Sequence, residues 1–216
     1  MLMNASQQKV LDAASQLFFH KGFHGTSVRD IADKANVNVS LISYYFKGKQ
    51  GLLEYAITHY YEAYLETIEE ALITNEQASE KDILKYMVRR IIEYKQEHYQ
   101  MSCFIHRELS LDSIFVREMA VTYLAKENHF IKNALKAMLR DHRQSRMDQE
   151  FLYMHLKGML ITPYVLHNEW KNHFVGEASH DHFKRKYVET IHRWIDFIEK
   201  EPQKELAIHV NIQDEQ

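Results

Sequence analysis

Glycine and proline are too scarce in this chain for a fold that turns often. Six glycines and two prolines in 216 residues fall well below the roughly 7% and 5% of average composition, and both residues punctuate turns and loops. Sheet sandwiches and doubly wound α/β folds are therefore disfavoured, and an all-α chain with few, polar linkers is expected. The apolar spacing agrees. Val10, Leu11, Ala13, Ala14, Leu17 and Phe18 recur at three and four, predicting an amphipathic helix from about residue 5 that Gly22 closes in the left-handed conformation. Thr26 and Ser27 stand where a helix cap belongs, with Asp30 three after Ser27, and Val28, Ile31, Ala32 and Ala35 give a short apolar face. Asn36-Val37-Asn38 interrupts it, and Asn38 caps a third short helix through Leu41, Ile42 and Tyr45.

After Lys47-Gly48, apolar and aromatic pairs from Leu52/Leu53 to Ala71/Leu72 predict one helix of about 24 residues, or ~36 Å. Further helical patterns cover roughly residues 80–99, 102–110, 113–141, 148–171 and 181–200, joined by short polar linkers as in a helical bundle. The expected organisation is a three-helix head over 1–48, a larger helical body over 49–202 and a polar tail over 203–216. No segment alternates with the two-residue period of a strand.

Several function classes drop out. One cysteine allows no intrachain disulfide and no cysteine-based zinc cluster. No stretch reads as a signal peptide, so the reducing cytoplasm is the expected compartment. No apolar run approaches the ~20 residues of a membrane span, Met159–Leu166 being interrupted by Thr162 and Pro163. No phosphate loop, nucleophile with a base, or acid pair is readable, so no catalytic residue, cofactor or enzyme activity is expected. Cys103, beside Phe104-Ile105, reads as a small buried hydrophobe. Fourteen histidines include His180-x-His182 with His173 nearby, but that spacing cannot share a helix face and no metal site is expected.

The net charge of -3 hides an asymmetry. Residues 1–55 carry six Lys/Arg against four acids, and the remainder 21 against 26. A basic head on an acidic body suits a module that meets phosphate. A short helix, a tight turn and a second short helix let the second helix enter the ~12 Å major groove of double-stranded DNA. In that third helix Leu41, Ile42 and Tyr45 or Phe46 face inward, while Val39, Ser40, Ser43 and Tyr44 face out. Small hydroxyls and an apolar side chain can meet base edges and a thymine methyl, and tyrosine hydroxyls suit phosphates. An ordinary surface helix would look much the same.

The run Thr26-Ser27-Val28-Arg29-Asp30-Ile31-Ala32-Asp33-Lys34-Ala35-Asn36-Val37-Asn38, with Ser43-Tyr44-Tyr45-Phe46 and Lys49-Gln50-Gly51-Leu52-Leu53, resembles the helix-turn-helix signature of the TetR family of regulators. The resemblance covers about residues 5–55. It departs from the usual pattern at Asn36 and Ser40, where glycine is common, and at Ser43, where tyrosine often stands. Asparagine tolerates the left-handed turn, but base preference does not carry over. Residue by residue, the resemblance implies phosphate contacts from Thr26, Tyr45 and Lys49, and groove-facing roles for Arg29, Val39, Ser40, Ser43 and Tyr44. Thr26 is equally a helix cap, and Tyr45 equally a core residue. A narrower resemblance, through Val37–Leu52, Gly48/Gly51 and the aromatic segment Tyr55–Tyr64, is to RefZ-type members. These bind DNA near the chromosome origin, at the nucleoid, and act on the division protein FtsZ to influence septum position.

The family resemblance also implies a homodimer closed by the last two long helices, with Phe151, Leu152, His155, Leu156, Met159, Trp194, Ile195 and Ile198 as its seam; the same residues could pack within one chain. Gly158 would allow close approach and Pro163 would kink the helix. A small-molecule ligand would be lined by Met87, Met101, Phe104, Phe115, Met119, Tyr123 and Phe130, a stripe that equally suits plain core. A protein partner such as FtsZ would need an exposed surface, for which Arg107, Glu108, Arg117 and Glu118 are the candidates; solvated helix charges explain them as well.

Overall fold

The computed structural model describes residues 4–73, 78–110, 114–140, 146–170 and 177–200, among which no strand occurs. Helix α1 (Ala5–Lys21) begins at Asn4, whose side chain accepts the Gln7 N–H while the Gln7 side chain accepts the Asn4 N–H. It ends at Gly22, whose N–H donates to the Phe18 carbonyl. Gly22 has φ 71° and ψ 171°, outside the left-handed helical well expected for it, in a region essentially reserved for glycine.

Helix α2 (Val28–Ala35) opens with a reciprocal box: the Ser27 hydroxyl accepts the Asp30 N–H and the Asp30 carboxylate accepts the Ser27 N–H. Asn36 closes it in the left-handed conformation, φ 53° and ψ 51°, and Asn38 caps α3 (Val39–Phe46) by accepting the Ser40 N–H. Lys47 is also left-handed and turns the chain into α4 (Lys49–Ile73), about 37 Å long. Gly51 makes that turn possible, because a Cβ there would lie 2.0 Å from the Phe46 carbonyl oxygen.

The body continues through α5 (Glu80–Glu97), α6 (Tyr99–Ser110), α7 (Ile114–Met138), α8 (Arg146–Val165), the single turn α9 (His167–Trp170) and α10 (Glu177–Lys200). Only His98 separates α5 from α6, whereas a longer gap was expected. The helix expected over 148–171 instead ends at Val165, two residues after Pro163. One hydrophobic core runs from Val10, Phe18, Ile31 and Ile42 through α4 to Ile91, Leu135, Leu160 and Ile195. The stacked rings of Phe18 and Phe104, 5.4 Å apart, carry it from α1 to α6.

Candidate nucleic-acid interface

The two short helices and their turn hold α3 with one face free. Ile42 and Phe46 are buried, Leu41 and Tyr45 half-buried, and Val39, Ser40, Ser43 and Tyr44 exposed, Tyr44 by 78%. The Ser40 hydroxyl donates to Asn38 Oδ1 at 2.8 Å, so it tightens the cap while facing outward. Arg29 is exposed on α2, and Lys21 approaches Asp30 at 3.5 Å. These exposed side chains lie on the two helices that the tight turn joins, the arrangement that groove reading requires.

The three residues expected to hold phosphate are placed differently. Thr26 is only 1% exposed, and its hydroxyl donates to the Gly22 carbonyl at 2.8 Å. That corrects both readings of Thr26: the hydroxyl is turned into the α1–α2 connection, and Ser27 is the cap. Tyr45 packs half-buried, and its hydroxyl accepts from Asn4 Nδ2 at 3.2 Å, tying α3 to the start of α1. Lys49 reaches back so that Nζ donates to the carbonyls of Phe23 at 2.8 Å and Thr26 at 2.7 Å, and it sits 4.3 Å from the centre of the Phe23 ring. Two of its three protons thus fix the loop that presents α2.

The expected dimer seam splits. Phe151 and His155 are exposed, and Leu152, Met159 and Trp194 are half-buried. Leu156, Ile195 and Ile198 are corrected: they pack into their own chain's core, on the inner rows of α8 and α10. The outer row instead carries exposed Met147, Phe151, Met154, Leu166 and, on α10, Phe197. Gly158 lies on the same exposed side, where an added Cβ would meet nothing within 4 Å.

Arg107 is also corrected as a partner surface. Its guanidinium donates to the carbonyls of Phe18 at 2.8 Å and Phe19 at 2.9 Å, capping the end of α1. Glu108 is half-buried and lies 3.9 Å from Arg107. Glu118 is exposed, and the Arg117 side chain falls outside the described residues. Of the expected ligand lining, Met87, Met101 and Phe104 are core, and Tyr123 stacks on Tyr61. Phe130 is half-buried and borders a surface groove, and the Phe115 and Met119 side chains fall outside the described residues. So do His173 and the His180 side chain; among the described residues no three potential metal ligands converge. Burial pushes the Cys103 thiol up to about 12, which keeps it protonated. No helix among the described residues is long and apolar enough to cross a membrane.

The sequence reading missed a charged centre in the body. Lys95 (α5) and Glu127 (α7), each with a side chain only 2% exposed, stand 3.6 Å apart, and Lys157 (α8) closes on the other Glu127 oxygen. The Tyr64 hydroxyl donates to Glu127 Oε1 at 2.6 Å. His106 Nε2 and the Leu160 carbonyl each lie 3.4 Å from Lys95 Nζ. Burial alone would raise the Glu127 carboxyl, but Lys95 and Lys157 hold it well below its ordinary value. Burial lowers Lys95, with Glu127 opposing, and burial with the Lys95 charge lowers His106 well below its usual range, leaving the imidazole neutral.

Comparison with known proteins agrees with this architecture. Residues 10–56 match the model of bacterial regulatory proteins of the tetR family. The chain is 34% identical over 191 residues to the probable HTH-type transcriptional regulator YttP of Bacillus subtilis (strain 168), covering 88% of this chain and 92% of that protein. In fold it resembles the TetR family transcriptional regulator PfmR from Thermus thermophilus, with a TM-score of 0.66 and 20% identity over 85% of this chain and 97% of that one. It also resembles the transcriptional regulator FadR from Bacillus subtilis in complex with stearoyl-CoA, with a TM-score of 0.64 and 18% identity over 85% of this chain and 96% of that one. These relatives are transcriptional regulators and lend no support to the RefZ-type reading or to FtsZ as a partner. A helical body behind a capped helix-turn-helix, and a relative of this identity along nearly its whole length, place the chain in the tetR family of bacterial regulatory proteins, as a transcriptional regulator.

Proposed function

We propose that this regulator is a homodimeric, ligand-responsive repressor that holds a palindromic DNA site with two copies of α3. The observation that carries the reading is the outward face of α3, with Val39, Ser40, Ser43 and Tyr44 exposed beside Arg29 in a chain of this family. Two half-sites need the two readers ~34–36 Å apart, and the free apolar row of α8 and α10 suits the second copy that would set this spacing. The FadR structure contains stearoyl-CoA, which supports a body that answers to a small molecule. Chromatin immunoprecipitation with sequencing in the native host tests the reading. One or a few palindromes at promoters are expected, whereas palindromes clustered around the chromosome origin inside genes would overturn it.

Two substitutions resolve the interface. Tyr44→Ala should weaken binding to the preferred site by ~1–3 kcal/mol while leaving scrambled DNA nearly unaffected. Equal losses on both sequences, read by fluorescence anisotropy, would make Tyr44 a backbone contact. Lys49→Ala should weaken binding to all sequences and make the salt slope shallower by about one unit. If stability falls and the slope does not, Lys49 serves only the loop carbonyls.

A further inference from the structure

Pro163 stands inside α8, two residues before the helix ends at Val165. A proline in a helix has no N–H for the carbonyl four residues before it, and its ring presses against that same carbonyl. Here the carbonyl is that of Met159. Its neighbours along the helix are served from within: the Thr162 hydroxyl donates to the Gly158 carbonyl at 2.7 Å, and the Leu166 N–H donates to the Thr162 carbonyl at 3.0 Å. The Met159 carbonyl is served from another helix, since the Tyr187 hydroxyl on α10 donates to it at 2.7 Å. Met159 and Tyr187 are both half-buried, where a carbonyl without a donor is costly. Burial pushes the Tyr187 phenol up to about 12, which keeps the donated proton in place. Phe183, one turn earlier on α10, stacks on its ring at 5.0 Å.

This break in the ladder falls within the free apolar row. Phe151 and Met154 precede it and Leu166 follows it, all three exposed. An apolar groove lined by Met154, Gly158, Ile161, Thr162, Val165 and Leu166 crosses the same stretch. A helix bends most readily where its ladder is interrupted, so the two parts of the row keep one relation to each other only if the break is held. We infer that Tyr187 is a positioning residue for the interface with a second copy of this chain: by taking the Met159 carbonyl that Pro163 leaves open, it ties the break in α8 to α10 and fixes the shape of the row. This rests on the homodimeric reading above and names the residue that shapes its seam.

Tyr187→Phe is the test, because it keeps the ring and its stacking and removes only the donor. Pro163→Ala is its companion, because it returns an N–H to α8 and makes the outside donor dispensable. With Pro163 in place, Tyr187→Phe should raise the dimer dissociation constant about tenfold, read by fluorescence-detected sedimentation of the full chain. Amide exchange over residues 164–166, followed by mass spectrometry, should quicken by about the same factor. In the Pro163→Ala background Tyr187→Phe should change neither quantity by more than about twofold, since the two substitutions act on one carbonyl. Unchanged dissociation, unchanged exchange, or equal losses with and without Pro163 would each overturn the inference. So would a fall in melting temperature with dissociation unaltered, because Tyr187 would then only pack. A wild-type chain that sediments as a monomer would instead overturn the homodimeric reading and the role at the seam with it, and the exchange comparison would still decide whether Tyr187 serves the open carbonyl.

Discussion

Glu127→Ala is expected to destabilise the body by ~3–5 kcal/mol, because it strands the buried Lys95 ammonium in a core that cannot hydrate it and leaves the part-exposed Lys157 ammonium unpaired as well. For a chain of this size that is a fall in Tm of about 6–20 °C. Urea unfolding of the single variant beside Glu127→Ala/Lys95→Met isolates the cause. Removing Lys95 as well takes away one of the stranded charges, so the double variant should recover much of the loss, and a strictly additive result would show that packing, rather than charge, is what Glu127 supplies. The pH dependence follows from the same pairing. Glu127 is held below its ordinary 4.5 in the folded state, so folding leaves it with fewer protons than unfolding does. Its contribution is present above pH 4.5 and is lost as pH falls through the depressed folded value. Glu127→Gln should flatten that acid limb of the stability curve.

The second large effect is expected at the free row of α8. Phe151 and Met154 are exposed in the single chain, so Phe151→Asp/Met154→Asp should leave the monomer folded. Across a two-fold axis the pair would place four carboxylates in one apolar seam. Sedimentation should then report a monomer at micromolar concentration. Affinity for the full palindrome should drop about 10²–10⁴-fold, to that of an isolated half-site, because the second reader is no longer tethered to the first. A wild-type protein that already sediments as a monomer, or a double variant that keeps full affinity, would show that the row serves another purpose.

What could be read from the sequence was what local chemistry decides. Ser27 with Asp30, Asn36 and Asn38 act within three or four residues of themselves, so the turn between α2 and α3 was visible, as was the inward turn of Ile42, while the choice between Tyr45 and Phe46 was left to the packing that buries Phe46. Thr26 turned instead to the carbonyl four residues before it, and Tyr45, Lys49 and Arg107 could not be placed from the sequence because a polar tip is free to find a carbonyl or an amide far along the chain. Arg107 meets Phe18 and Phe19 almost ninety positions away. The charged centre did leave a trace. Lys95 follows Leu84, Val88 and Ile91 at spacings of four, three and four, and Glu127 falls between Leu124 and Ile131 in the same way. A charge on the apolar row of each of two helices is the signature of a pair that meets inside. For the dimer row, period alone could not separate the inner from the outer face of α8, because both carry large apolar residues.

His106 and Arg107 are consecutive on α6, and they face different neighbours: one the Lys95 ammonium, the other the closing carbonyls of α1. While the helix is intact their Cα positions turn as one piece, about 100° apart around the axis. Their shared stretch of backbone joins the protein's interior to its reading head. A twist of α6 small enough to leave every helix folded would therefore already alter how firmly α1 is held.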